Sequence, residues 1–151
     1  MTKKYKWEIK GLSAGKSFKT SAKIILQRRL KSLTNTIKKF LNEETSENLH
    51  QIRIALRRLR YNMEIFISCF DKEIFIAFYQ EVAKLQDMTG TKRDLDVLAD
   101  NVKSFSSGGK DVDSFLGEVE EKNRKLKDEL TLELMKFTHG SELKDFNKMI
   151  L

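Results

Sequence analysis

The sequence predicts an all-α protein, an antiparallel helical bundle of about five or six helices with a short N-terminal extended arm. Three observations carry this expectation. The 151 residues contain no proline, the residue that most often interrupts a helix. Apolar residues recur at steps of three and four over long stretches, which places them on one helical face. The breaks between those stretches are short, and they are polar or contain glycine.

The arm is read from KKYKWEIKGL (residues 3–12), which alternates enough for a short strand and then meets Gly11 and Gly15. The first helix runs from about Phe18 to Asn42, with Ile25, Leu26, Leu30, Leu33, Ile37, Phe40 and Leu41 in one stripe. EETSE (43–47) is a polar break in which Ser46 is the expected N-cap, with Glu47 just inside the helix. The second helix is expected from Ser46 to Phe70. Asp71 then caps a third, from Lys72 to Met88, that points Ile74, Phe75, Phe78, Val82 and Leu85 inward. Thr89-Gly90 reads as its C-terminal stop. A fourth helix is expected from Lys92 to Phe105, with Leu95, Leu98, Val102 and Phe105 on one side. SSGGKD (106–111) is a flexible loop. A long helix follows from Asp113 to Phe137, ended by His139-Gly140, and residues 141–151 add a last turn or two.

A chain of this length builds one domain, residues 1–151, with a sizeable core. The formal net charge is +7 and it is unevenly spread. Residues 1–70 hold 16 Lys and Arg against 5 Asp and Glu, whereas residues 71–151 hold 13 against 17. A polyanionic partner is therefore expected to meet the first half. Cys69 is the single cysteine, so an intrachain disulfide is excluded, and it reads as a small core filler. Two histidines and one cysteine do not make an ordinary zinc site, and the chain has no P-loop and no GxGxxG. Neither metal nor cofactor is expected. No apolar run reaches the roughly 18 residues a membrane span needs, and no signal-peptide core follows the N-terminal lysines, so a cytoplasmic protein is expected.

The densest charge lies in HQIRIALRRLR (50–60), one histidine and four arginines threaded with Ile and Leu. With His50 at 0° and about 100° per residue, Arg53, Arg57, Tyr61 and Glu64 fall within about 60° of it. Ile52, Leu56, Leu59, Met63, Phe66 and Phe70 fall nearly opposite, between about 160° and 240°. The helix thus has a core face and a separate His/Arg face, flanked by Arg58 and Arg60. Arg53 and Arg57 repel one another at i, i+4. The plain reading is a solvated basic face; the functional one is a phosphate site, because guanidinium forks bind phosphate bidentately and a histidine beside them adds charge as it protonates. A second basic cluster opens TGTKRDLDVL (89–98), where Lys92 and Arg93 precede Asp94 and Asp96. By itself it reads as an ordinary capped helix start.

Taken together, these residues resemble the CHAD family, the conserved histidine α-helical domain. His50, Arg53, Arg57, Arg58, Leu59 and Arg60 match its first motif; Gly90, Arg93, Asp94, Asp96 and Val97 match its second; and Trp7, Ile9, Gly11 and Leu12 resemble its lead-in. The resemblance implies a helical bundle with a positively charged channel or groove that binds inorganic polyphosphate without catalysis. It implies ligand contacts from His50, Arg53, Arg57, Arg58, Arg60 and Arg93. Lys92 is added from its neighbourhood, and Lys23, Lys31, Lys38 and Tyr61 are weaker candidates. Members of the family usually carry two related halves, each with a histidine helix, and this chain carries one. That departure predicts a homodimer of twofold symmetry.

Two rival readings stand beside this one. A histidine phosphotransfer domain also shows an exposed histidine with a basic residue three positions on, as His50 and Arg53 do. Such domains need a small residue next, however, and here Ile54 follows. Nonspecific nucleic-acid binding by the basic face is the second rival. It lacks a helix-turn-helix, zinc spacing or several stacking aromatics.

Overall fold

The computed structural model describes residues 9–151, and over them the chain forms five helices and no strand. These are α1 (Phe18–Asn42), α2 (Ser46–Phe66), α3 (Lys72–Phe105), α4 (Lys110–His139) and α5 (Ser141–Ile150), with a short 3-10 turn at Ile67–Cys69 between α2 and α3. The fold is an all-α bundle. The expected N-terminal arm falls largely on residues outside those described.

Side-chain caps set the helix starts. The Ser17 hydroxyl accepts from the Thr20 N–H at 3.1 Å, and Asp71 accepts from the Ile74 N–H at 3.2 Å. The cap of α2 is Thr45, one residue before the expected Ser46, and it accepts from the Asn48 N–H at 3.1 Å. The buried Asn48 side chain donates back to the Glu43 carbonyl at 2.8 Å, which closes the break and selects that register. α2 also stops four residues short of the expected Phe70. The tighter turn over Ile67–Cys69 brings Phe70 against Phe75, ring centroids 5.8 Å apart. Cys69 is half-buried there and packs on the core.

The largest departure lies at Thr89-Gly90, which does not end a helix; α3 runs through it for 34 residues. Thr89 is fully buried, and its hydroxyl bonds the Gln86 carbonyl at 2.9 Å. The apolar stripe looks like two helices because it rotates, by about 140° on the helical period, between Phe75–Leu85 and Leu95–Phe105. The rotation marks a change of surroundings rather than a turn. The first half of α3 is buried in the common core, whereas beyond Thr89 only Ala99 is buried. Phe105 is consequently 89% exposed. The reversal comes instead at Gly108 and Gly109, with φ of 88° and 130°, a region only glycine enters cheaply.

The core is a single cluster. Phe78 stacks on Phe146 at 4.2 Å and on Phe137 at 5.5 Å, which ties α3, α5 and α4 together. Leu26, Leu33 and Ile37 of α1 and Ile52, Leu56, Leu59 and Met63 of α2 complete it, all fully buried. α2 packs closely against α1 on one side and α3 on the other, and its backbone stays apart from those of α4 and α5. One long face of α2 is therefore left to solvent.

Candidate functional site

That uncovered face is the one that carries the histidine and the arginines. Burial of Leu49, Ile52, Leu56, Leu59 and Met63 fixes the rotation of α2 and turns His50, Arg57 and Arg58 outward, with Arg53 half-buried at the edge. Between α2 and α3 lies an open cleft of ≈ 300 Å³, lined by His50 and Arg53 from α2 and by Arg93, Asp96, Val97 and Asp100 from α3. A smaller hollow of ≈ 90 Å³ adjoins it, between His50, Arg53, Ile54, Arg57 and Gln86. The two sequence clusters, forty residues apart, thus meet at one cleft because α3 runs unbroken past Gly90.

The seven strong candidates divide by their partners. Among the described residues, His50, Arg53, Arg57, Arg58 and Arg93 make no ion pair and no side-chain hydrogen bond. Arg60 and Lys92 are engaged. The Arg60 Nε donates to the Tyr79 hydroxyl at 2.9 Å and lies 3.4 Å from the Glu64 carboxylate, and its Nη1 donates to Gln86 at 3.4 Å. The Tyr79 bond, with the Glu64 charge adding, holds the Arg60 proton more firmly than usual. Lys92 donates to both oxygens of Asp96, at 2.9 and 3.1 Å, and Asn123 of α4 donates to the same carboxylate at 2.6 Å. Lys92 thus serves the α3–α4 contact. Its partner Asp96 is neutralised there, while Asp100 stays exposed at the far rim, so the positive side of the cleft is α2 and Arg93.

The weaker candidates are scattered. Tyr61 is exposed on the α2 face. Lys23 donates to the Leu151 carbonyl at 3.2 Å, on the α5 side of α1. Lys31 and Lys38 are exposed, about 160° to 180° around α1 from Arg29. The cationic residues of α1 that do reach α2 are others. Arg29 donates from Nε to the side-chain amide oxygen of Asn62, Oδ1, at 2.9 Å. Burial first, then the charges of Arg58 and Arg28, hold its proton less firmly than usual; Arg28 is its exposed chain neighbour. The Arg28-Arg29 pair was visible in the sequence; its place beside α2 required knowledge of how the two helices are rotated.

Among the described residues no group of three or more His, Cys, Asp or Glu is placed to hold a metal ion, and no helix is long and apolar enough to cross a membrane.

A helical bundle with a bare cationic helix face and a cleft beside it defines the class of molecule. The model of the CHAD domain family matches residues 4–103 and 25–150, and the chain belongs to that family. No curated protein matches the chain significantly.

Proposed function

We propose that this protein binds inorganic polyphosphate, without catalysis, on the face formed by His50, Arg53, Arg57 and Arg58 of α2 and Arg93 of α3. One observation carries the reading: His50, Arg53, Arg57 and Arg93, without carboxylate partners among the described residues, line one cleft and the hollow beside it, with Arg58 exposed on the same helix. Like charges held together repel, and an anion that bridges them removes the repulsion and accepts several guanidinium hydrogen bonds at once. The CHAD family is associated with polyphosphate binding, which supports the same ligand. Phosphate chains offer no base edges, and the face offers little to stack bases on. Tyr61 is the one exposed aromatic of α2, which favours polyphosphate over single-stranded nucleic acid. Phosphotransfer is disfavoured by Ile54, which lines the hollow beside His50 where a partner domain would need room. Arg60 and Lys92 support the scaffold rather than the ligand in this reading. The chain acts as a single domain with one histidine helix, and a symmetric dimer supplies a second cationic face.

The test is a titration with long-chain polyphosphate and with single-stranded DNA of equal charge, at low and near-physiological salt, with Arg53→Ala/Arg57→Ala alongside. Tighter polyphosphate binding that persists at physiological salt and collapses in the variant is the expected result. Equal binding of both ligands, lost together with salt, refutes the assignment and leaves a generic polyanion surface. Light scattering at micromolar concentration checks the dimer; a strict monomer refutes it.

A further inference from the structure

Arg29 at the α1–α2 contact, its exposed neighbour Arg28 and Arg58 of α2 fall outside the cleft between α2 and α3, and they have no carboxylate within ion-pair distance among the described residues. We infer that Arg28 and Arg29 of α1, with Arg58 of α2, form a second phosphate subsite, so that a polyphosphate chain crosses α2 from the α3 cleft to α1 instead of lying along the helix. The inference rests on the polyphosphate reading above and specifies the path and length of its ligand.

The geometry of α2 supports the crossing. Around its axis Arg53 lies at about 300° and Arg57 at about 340°, followed by His50 at 0° and Arg58 at about 80°. The cations therefore span the whole open arc from the α3 side to the α1 side. Arg93 continues that arc at one end, across the cleft. Arg29 continues it at the other, held by Asn62, which sits one turn beyond Arg58 on the α1 side. Along the axis the same residues occupy little more than two turns, and beyond them Glu64 interrupts the charge. A ligand that followed α2 would leave the cations within about 12 Å of helix; one that crossed it would meet all of them.

Arg29 is also held for the purpose. Its hydrogen bond to a neutral amide fixes the guanidinium without neutralising it. Partial burial and the neighbouring Arg58 and Arg28 weaken its hold on its proton, so folding assembles a cluster that an anion would relieve. Neighbouring helix axes lie about 8–10 Å apart, which puts the α1 subsite and the α3 cleft roughly 15–20 Å apart across α2. A tripolyphosphate is too short to occupy both, and a long chain is not.

The experiment titrates tripolyphosphate and long-chain polyphosphate into the full chain, Arg28→Gln/Arg29→Gln, and Lys144→Gln/Lys148→Gln. The last double variant removes the same charge from the exposed side of α5, whose backbone stays apart from that of α2. The long-chain affinity is expected to fall about tenfold in the α1 variant, the worth of one charge-assisted contact. The ratio of long-chain to tripolyphosphate affinity should fall with it, and the α5 variant should leave that ratio in place. Equal losses in the two variants, or an unchanged ratio, overturn the crossing while the polyphosphate reading stands. A wild-type chain that binds neither ligand overturns both. Because Arg29 is partly buried, thermal melts accompany the series, and the exposed Arg28→Glu variant carries the same test if the double variant melts early.

Discussion

The α1–α2 pair and the α3–α4 pair each carry 11 lysines and arginines, but the first sets them against 2 acidic residues and the second against 14. That difference decides what the charges do. On α3 and α4 the cations find carboxylates: Lys84 with Glu133 at 3.0 Å, Lys92 with Asp96 at 2.9 Å and Arg124 with Glu121 at 2.6 Å. On α1 and α2 the one internal pair is Arg60 with Glu64. A count of basic residues therefore does not locate a binding surface; a scarcity of nearby carboxylates does. Arg93 shows the rule at its boundary, since it belongs to the acidic pair yet stays unpaired on the side that faces α2.

The contrast is tested most strongly where charge is unpaired. Arg53→Ala/Arg57→Ala is expected to weaken long-chain polyphosphate binding by roughly 100-fold, about 3 kcal/mol for two contacts to a charged ligand. The melting temperature should hold or rise slightly, because the i, i+4 repulsion is removed. A lower melting temperature with affinity retained would assign these arginines to the scaffold. His50 tests the same face. His50→Gln is expected to weaken long-chain polyphosphate binding by up to about tenfold, the worth of one contact to a charged ligand, with the melting temperature unchanged. Unchanged affinity removes His50 from the ligand contacts.

Arg60 lies on the paired side of the comparison and should behave in the opposite way. Arg60→Ala removes its bonds to Tyr79, Gln86 and Glu64 and is expected to cost about 1 kcal/mol in denaturant unfolding, with polyphosphate affinity changed less than about threefold. A large loss of affinity without loss of stability would return Arg60 to the site. The smallest effect concerns the scaffold that brings Arg93 to α2. Gly90 is helical and a Cβ there meets nothing within 4 Å. Gly90→Ala should therefore stabilise the protein by roughly 0.5–1 kcal/mol. Destabilisation would mean that α3 bends or breaks at that point.

Most of the fold was legible in the sequence. The stripes of α1 and α2, the Asp71 cap, the glycine loop near residue 108 and the stop at His139-Gly140 all follow from local periodicity and turn chemistry, and all are present. The break expected at Gly90 is absent because the rotated stripe belongs to one helix, which passes from a shared core to a single partner. In the site, the separate His/Arg face of α2 was legible because one helix fixes both of its faces. The bonds that engage Arg60 were not, since α3 brings Tyr79 and Gln86 from elsewhere in the chain, whereas the Lys92–Asp96 pair is an i, i+4 contact within α3. Which basic residues of the first helix adjoin α2 was not legible for the same reason. Lys23, Lys31 and Lys38 were as basic as Arg28 and Arg29, and nothing local distinguishes the flank of α1 that meets α2.

The sequence by itself determined where the helices lie and which side of each is buried, because the backbone period and the hydrophobic effect act on neighbours three and four residues apart. Only the tertiary structure decided which cations are left without partners, because a charge is neutralised by whatever lies within a few ångströms in space. Here the Glu64 and Asp96 carboxylates beside Arg60 and Lys92 lie one turn along the same helices, the packing of α3 on α2 adds Tyr79 and Gln86 to Arg60, and among the described residues no neighbouring helix brings a carboxylate within ion-pair distance of the other arginines of α2 or of Arg93.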